Sequence, residues 1–251
     1  MPVHIECFID PNNESDLISE LLHFLQKKPG RSYINESNRH VLYTYDIPDA
    51  QDGSIVLRTV FNMMMEENGA DIRDLDLVIA DSPVKDVEFI FRLDKSQDGN
   101  EYYEAGCGDQ HFLLETVNRH MINEDIEDTV QPAALSLFPF RYSIYSTLED
   151  LKDDFAEEGM IFDFDDTFIA SGSLLQREDP DETWSLFIGR IVSGTPHYLQ
   201  IGDMLCGCVI LQVQTAIGIL PAIIPLNATE DIQPDRIISL FCDVKADLSA
   251  A

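Results

Sequence analysis

The sequence predicts an α+β protein: an N-terminal layered mixed sheet with helices, then a C-terminal, mostly antiparallel β-rich sheet or partly closed barrel. Three observations lead there. Leu17, Leu21 and Leu25, with Ile18, Leu22 and Phe24, recur at helical spacing. Val209, Leu211 and Val213 alternate with Ile210, Gln212 and Gln214 at the period of a strand. And Met204–Thr229 holds no charged residue, in a chain that is 25% charged, which marks the deepest part of the molecule.

In chain order, Val3–Ile9 reads as a strand and Glu14–Lys28 as a helix. Acidic residues open that helix and Lys27-Lys28-Pro29-Gly30 close it. Val41, Tyr43 and Tyr45 share one face of a strand over His40–Ile47. Asp52-Gly53-Ser54 offers the start of a second helix running to Glu67, with Asn68-Gly69 as its stop, although Ile55–Phe61 is β-prone. Leu75–Ala80 and Val87–Leu93 read as strands around an Asp81-Ser82-Pro83 turn. Gln110–Ile122 reads as a helix with Phe112, Leu113, Val117 and Met121 in its stripe, and Asn123–Gln131 as an acidic loop. Ala133–Tyr145 reads as a strand in which Pro139 calls for an edge or a bend.

Thr147 followed by Asp150 is an N-cap pattern, so Thr147–Glu158 is expected to be a helix ended by Gly159. Met160–Gln176 reads as a strand pair. The acidic, Pro180-containing stretch 177–183 is the linker. It separates an α+β segment, 1–176, from a β-rich segment, 184–251, which are free to pack as one unit. Trp184–Ser193, the Val209–Ile224 pair and Ile237–Val244 supply the strands of the second segment.

The charge balance narrows function more than any motif. Asp and Glu number 46 against 16 Lys and Arg, a net charge of −30. A field of that sign repels phosphate backbones and anionic bilayers, so neither nucleic acid nor a membrane is an expected partner. It suits a basic protein, or serves solubility alone. The first residues lack a basic segment followed by an apolar run, and no stretch is apolar enough to span a bilayer as a helix. Five scattered cysteines point to reduced thiols and a cytoplasmic protein. No cofactor is expected.

Three local patterns hold chemically able residues. Ile161-Phe162-Asp163-Phe164-Asp165-Asp166-Thr167-Phe168-Ile169 resembles the first motif of the haloacid dehalogenase superfamily, an apolar strand followed by Asp-x-Asp-x-Thr. The resemblance implies Asp163 as a phosphoryl-accepting nucleophile, Asp165 as general acid/base, Mg²⁺ held by both, and Thr167 as third motif residue. It ends with those nine residues: the only later lysine is Lys245, and the chain turns β-rich where that family alternates helices and strands. The preferred reading is a solvent-facing strand with Phe162 and Phe164 inward.

Cys206-Gly207-Cys208 places two thiols on one face of a strand, as a metal pair requires, but without the second pair of a zinc site. Buried thiols beside a glycine are preferred. Cys107-Gly108-Asp109-Gln110-His111 sets a thiol near an imidazole, with His111 and Glu115 one helical turn apart. The expectation is thus a non-enzymatic acidic binding or regulatory protein recognising a basic protein, by charge analogy with immunity proteins and inhibitors. The alternatives are a Mg²⁺-dependent phosphohydrolase using Asp163 and Asp165, and a protein whose acidity serves only solubility.

Overall fold

The computed structural model describes residues 30–37, 39–66, 69–93, 101–159, 170–171, 184–201, 204–226 and 232–248. The strands are β1 (Arg31–Asn35), β2 (His40–Pro48), β3 (Ile55–Glu66), β4 (Gly69–Ile79), β5 (Val84–Leu93), β6 (Glu101–Cys107), β7 (Gln110–Thr116) and β8 (Thr129–Tyr145). After helix α1 (Leu148–Glu157) come β9 (Ala170–Ser171), β10 (Ser185–Ile201), β11 (Met204–Thr215), β12 (Gly218–Pro225) and β13 (Ile237–Asp247).

The α+β expectation is overturned. The described chain is mostly strand, in one four-stranded and one nine-stranded sheet, and its single α-helix follows β8 rather than lying in the N-terminal region. Two expected helices are strands, for one physical reason. Ile55–Glu66 and Gln110–Thr116 are apolar on both sides, which a helical stripe and a strand buried on both faces satisfy equally. β3 lies between β2 and β4, and its middle residues are covered on either side. The glycine of Asn68-Gly69, read as a helix stop, pairs with Glu66 across a hairpin. β7 turns back from β6 through Gly108, whose φ of +60° suits glycine. Only Arg119–Met121 beyond it is helical, as a single 3-10 turn. The expected elements Val3–Ile9 and Glu14–Lys28 lie outside the described residues, as does all but 170–171 of the strand pair expected over Met160–Gln176.

The expected helix over Thr147–Glu158 forms as α1. Thr147 Oγ1 accepts from Asp150 N at 3.1 Å, and Thr147 N donates to Asp150 Oδ2 at 2.9 Å. Pro139 marks a bend inside a sheet: β8 pairs with β13 across a bulge, where Cys242 faces Pro139 and Phe241 faces Arg141.

Pairing in the large sheet closes on itself twice. β10–β11–β12–β8–β13 returns to β10, and β13–β7–β6–β5–β8 returns to β13, so two five-stranded rings share the β8–β13 pair. Strands on both sides of residues 177–183 take part. Alternation sends Phe89, Tyr103, Phe112, Leu135, Leu211, Leu240 and Val244 into one apolar core. The opposite faces meet other layers. Leu151 and Phe155 of α1 cover Leu186, Ile188, Ile237 and Phe241, while Leu57, Phe61, Leu75, Leu77 and Ile79 of the four-stranded sheet cover Phe138, Leu199, Cys208, Ile210 and Ile223.

Candidate functional site

Where the four-stranded sheet meets the shared strand β13, the covered face is ionic rather than apolar. On β13, Asp243, Lys245 and Asp247 alternate with Val244 and Ala246, which belong to the core. The register places Ser136 of β8 and Glu115 of β7 on either side of Lys245. β4 contributes Asp74 and Asp76, which alternate with the core residues Leu75 and Leu77.

Lys245, 3% exposed, donates to Asp76 Oδ1 at 2.7 Å and to Glu115 Oε2. Asp74 Oδ1 accepts from Leu75 N at 2.9 Å. Two carboxylates therefore share one ammonium out of water, with a third, Asp74, close beside them. Burial first, then the charge of Asp76 and a hydrogen bond to it, and then the charge of Glu115, push the Asp74 carboxyl up to about 9. Burial pushes Glu115 up to about 7 against the pull of Lys245. For Lys245, burial alone would lower the value, but Asp76 and Glu115 outweigh it and hold the ammonium well above an ordinary lysine.

Neighbouring polar contacts brace the cluster. Asn118 Nδ2 donates to Asp247 Oδ1 at 2.8 Å, and Asn118 Oδ1 accepts from Leu248 N at 3.0 Å. Ser136 Oγ accepts from Ile79 N at 3.0 Å, tying β4 to β8. Ser136 and Asp247 also line a cleft of about 230 Å³ with Arg58, Asp81 and Ser82.

Of the candidate site residues singled out in the sequence, Glu115 falls in this cluster. Asp163, Asp165 and Thr167 lie outside the described residues. Cys206 and Cys208 share a face of β11 within an apolar cluster. Burial raises both thiols, Cys208 to about 12, helped by the charge of Asp49. Cys208 faces His197 across the β10–β11 pair. His197 Nδ1 lies 2.8 Å from Asp49 Oδ2, and although burial opposes it, hydrogen bonds from Gln51 N, His197 and Tyr198 N hold Asp49 below the usual carboxylate value. Among the described residues, Asp74, Asp76 and Glu115 are the one group of three or more potential metal ligands close enough to share an ion.

His111 and Glu115 are not a helical pair. Both lie on β7, where His111 meets Glu104 at 3.4 Å in solvent and Glu115 is buried on Lys245. Cys107 Sγ donates to Asp86 O at 3.4 Å, and burial raises its thiol. Iodoacetamide is therefore expected to modify Cys107 more slowly at neutral pH than it modifies free glutathione; faster modification would restore the nucleophile reading.

Sequence reasoning missed the ionic cluster because Asp74-Leu75-Asp76-Leu77 has the pattern of a strand with one face in water. Its one visible trace is Lys245, a lone lysine at the end of an apolar strand.

Comparison with protein-family models, curated proteins and solved structures returned no match. The fold and site define the class: over the described residues, a mostly β protein of two fused strand rings and a covering sheet, with a buried carboxylate–lysine cluster between them. Among the described residues, no helix is long and apolar enough to cross a membrane.

Proposed function

We propose that this chain is a non-enzymatic binding protein whose acidic surface recognises a basic protein partner. The observation that supports it is the outer face of α1. Glu149, Asp153 and Glu157 are exposed and follow one another at four-residue spacing, so like charges lie along one stripe. No basic residue occupies the last turn. An acidic side chain at that end opposes the helix dipole by about 0.3–1 kcal/mol, a local cost of the kind that marks a surface kept for binding.

The inner face, Leu151 and Phe155, holds the stripe rigidly on the ring. Many of the molecule's cations are already used internally: Arg58, Arg73, Arg92, Arg119, Arg141 and Lys245 all sit in ion pairs. The long-range field that remains is negative and steers a basic protein towards it.

The test is fluorescence anisotropy with a labelled lysine- and arginine-rich peptide, and a glutamate-rich control, at about 50 mM and about 500 mM salt. Binding of the basic probe that weakens with salt, and weakens at least tenfold in Glu149→Lys/Asp153→Lys/Glu157→Lys, supports the reading. Affinity unchanged by the triple reversal overturns α1 as the site; no binding at low salt overturns the function.

A further inference from the structure

We propose that Asp74, Asp76 and Glu115 form a buried site for one hard divalent cation of the Mg²⁺, Ca²⁺ or Mn²⁺ class, bridging the two sheets. One oxygen from each carboxylate lies within 4.8 Å of the others, a spread that one ion can gather. The residues are 4%, 2% and 2% exposed.

The hydrogen bonds leave the cluster incomplete. Lys245 serves Asp76 Oδ1 and Glu115 Oε2, and Leu75 N serves Asp74 Oδ1. Asp74 Oδ2 and Asp76 Oδ2 are buried, and apart from a proton shared between these two carboxyls no donor reaches them. A buried carboxylate oxygen lacking a donor is strongly unfavourable, and here two belong to one cluster. Charge is compatible: once the ion displaces the proton that Asp74 holds in the metal-free chain, three carboxylates and one ammonium sum to −2, which a divalent cation cancels. The donors are all oxygen, which selects a hard ion over zinc or copper.

The ligands come from β4 on one sheet and β7 on the other, and Lys245 from β13 joins them. The ion therefore acts as a clamp between layers, and its binding free energy adds to the stability of the folded chain. The site is distinct from the acidic stripe of α1, so the two proposals stand or fall separately.

The full chain, stripped with chelator and dialysed, is titrated with Mn²⁺ in about 0.5 M NaCl, which screens the surface charge. Water-proton relaxation counts the bound ions, and thermal unfolding is followed with Ca²⁺, Mg²⁺ or Mn²⁺. One Mn²⁺ per chain is expected, with a rise in Tm of roughly 5 °C at saturation. Asp74→Asn should lose both effects while keeping the wild-type circular dichroism; Glu124→Gln, on the surface and outside both sites, should keep both. If the stripped wild type binds no Mn²⁺ and its Tm ignores all three ions, a proton shared between Asp74 and Asp76 satisfies the oxygens and the proposal fails. It fails equally if Asp74→Asn binds the ion as the wild type does. Should that variant not fold, the wild-type Mn²⁺ count alone decides.

Discussion

Lys245→Met destabilises the protein by about 3–5 kcal/mol, the usual cost of removing one partner from a buried ionic group. Methionine matches the length of the lysine stem but carries no charge, so Asp76 and Glu115 lose the donor that both share. With Asp74 beside them, three acids are then left in a space closed to water, and each deprotonates only against the others' charge. The denaturation midpoint in urea should fall with little change in slope. Replacing the set together, as Asp76→Leu/Glu115→Leu/Lys245→Met, should recover much of the loss, because apolar side chains of similar volume need no compensation. A single-variant loss under 1 kcal/mol would mean that water reaches the cluster.

Stability of the metal-free protein falls as pH rises from about 5 to 9, with each raised carboxyl contributing a slope of at most about 1.4 kcal/mol per pH unit. The sign follows from Asp74. Its folded value, about 9, lies above the model-compound value of 3.8. Between those values the folded chain keeps a proton that the unfolded chain has released, so stability is full below the lower value and is lost as pH climbs through the higher. Glu115, raised to about 7, adds to the same decline in its lower half. The groups facing Asp74 are Asp76 on its own strand, Glu115 on β7 and Lys245 on β13, with Asp243 near Glu115.

Asp49 works in the opposite sense. Its lowered value favours the folded chain above the ordinary aspartate range and is lost in acid, so a stability maximum near the start of the window is expected. In Asp74→Asn the amide stands in for the protonated acid and the alkaline decline flattens. Urea midpoints of wild type and variant between about pH 5 and 9, in chelator, test this; parallel curves would mean that Asp74 does not hold the proton.

Some of this molecule was legible before any coordinates. Thr147 and Asp150 announce a capped helix because a capping box is a local bargain between residues three apart. The Val209–Val213 alternation announces β11 because Val209, Leu211 and Val213 enter the ring core, while Gln212 and Gln214 on the other face stay half-buried. The charge of −30 is a sum over residues and needs no fold. Each of these rests on neighbours in sequence or on composition.

The rest was decided by contacts between distant segments. Ile55–Glu66 is a strand because β2 and β4 flank it and layers cover both faces, whereas its apolar run suits a helix just as well. Asp74 and Asp76 look like a solvent face until the nine-stranded sheet closes over them. Lys245 is separated from Asp76 by 169 residues and from Glu115 by 130, so no local pattern brings the three together. What the sequence determined by itself is the periodicity, the caps and the sign of the surface field. Which faces are buried, and hence which carboxylates must find a counter-charge, was settled only when the strand rings closed and the second sheet packed against them. Burial is a property of the layers, and the cost of a buried charge is what turns that burial into chemistry.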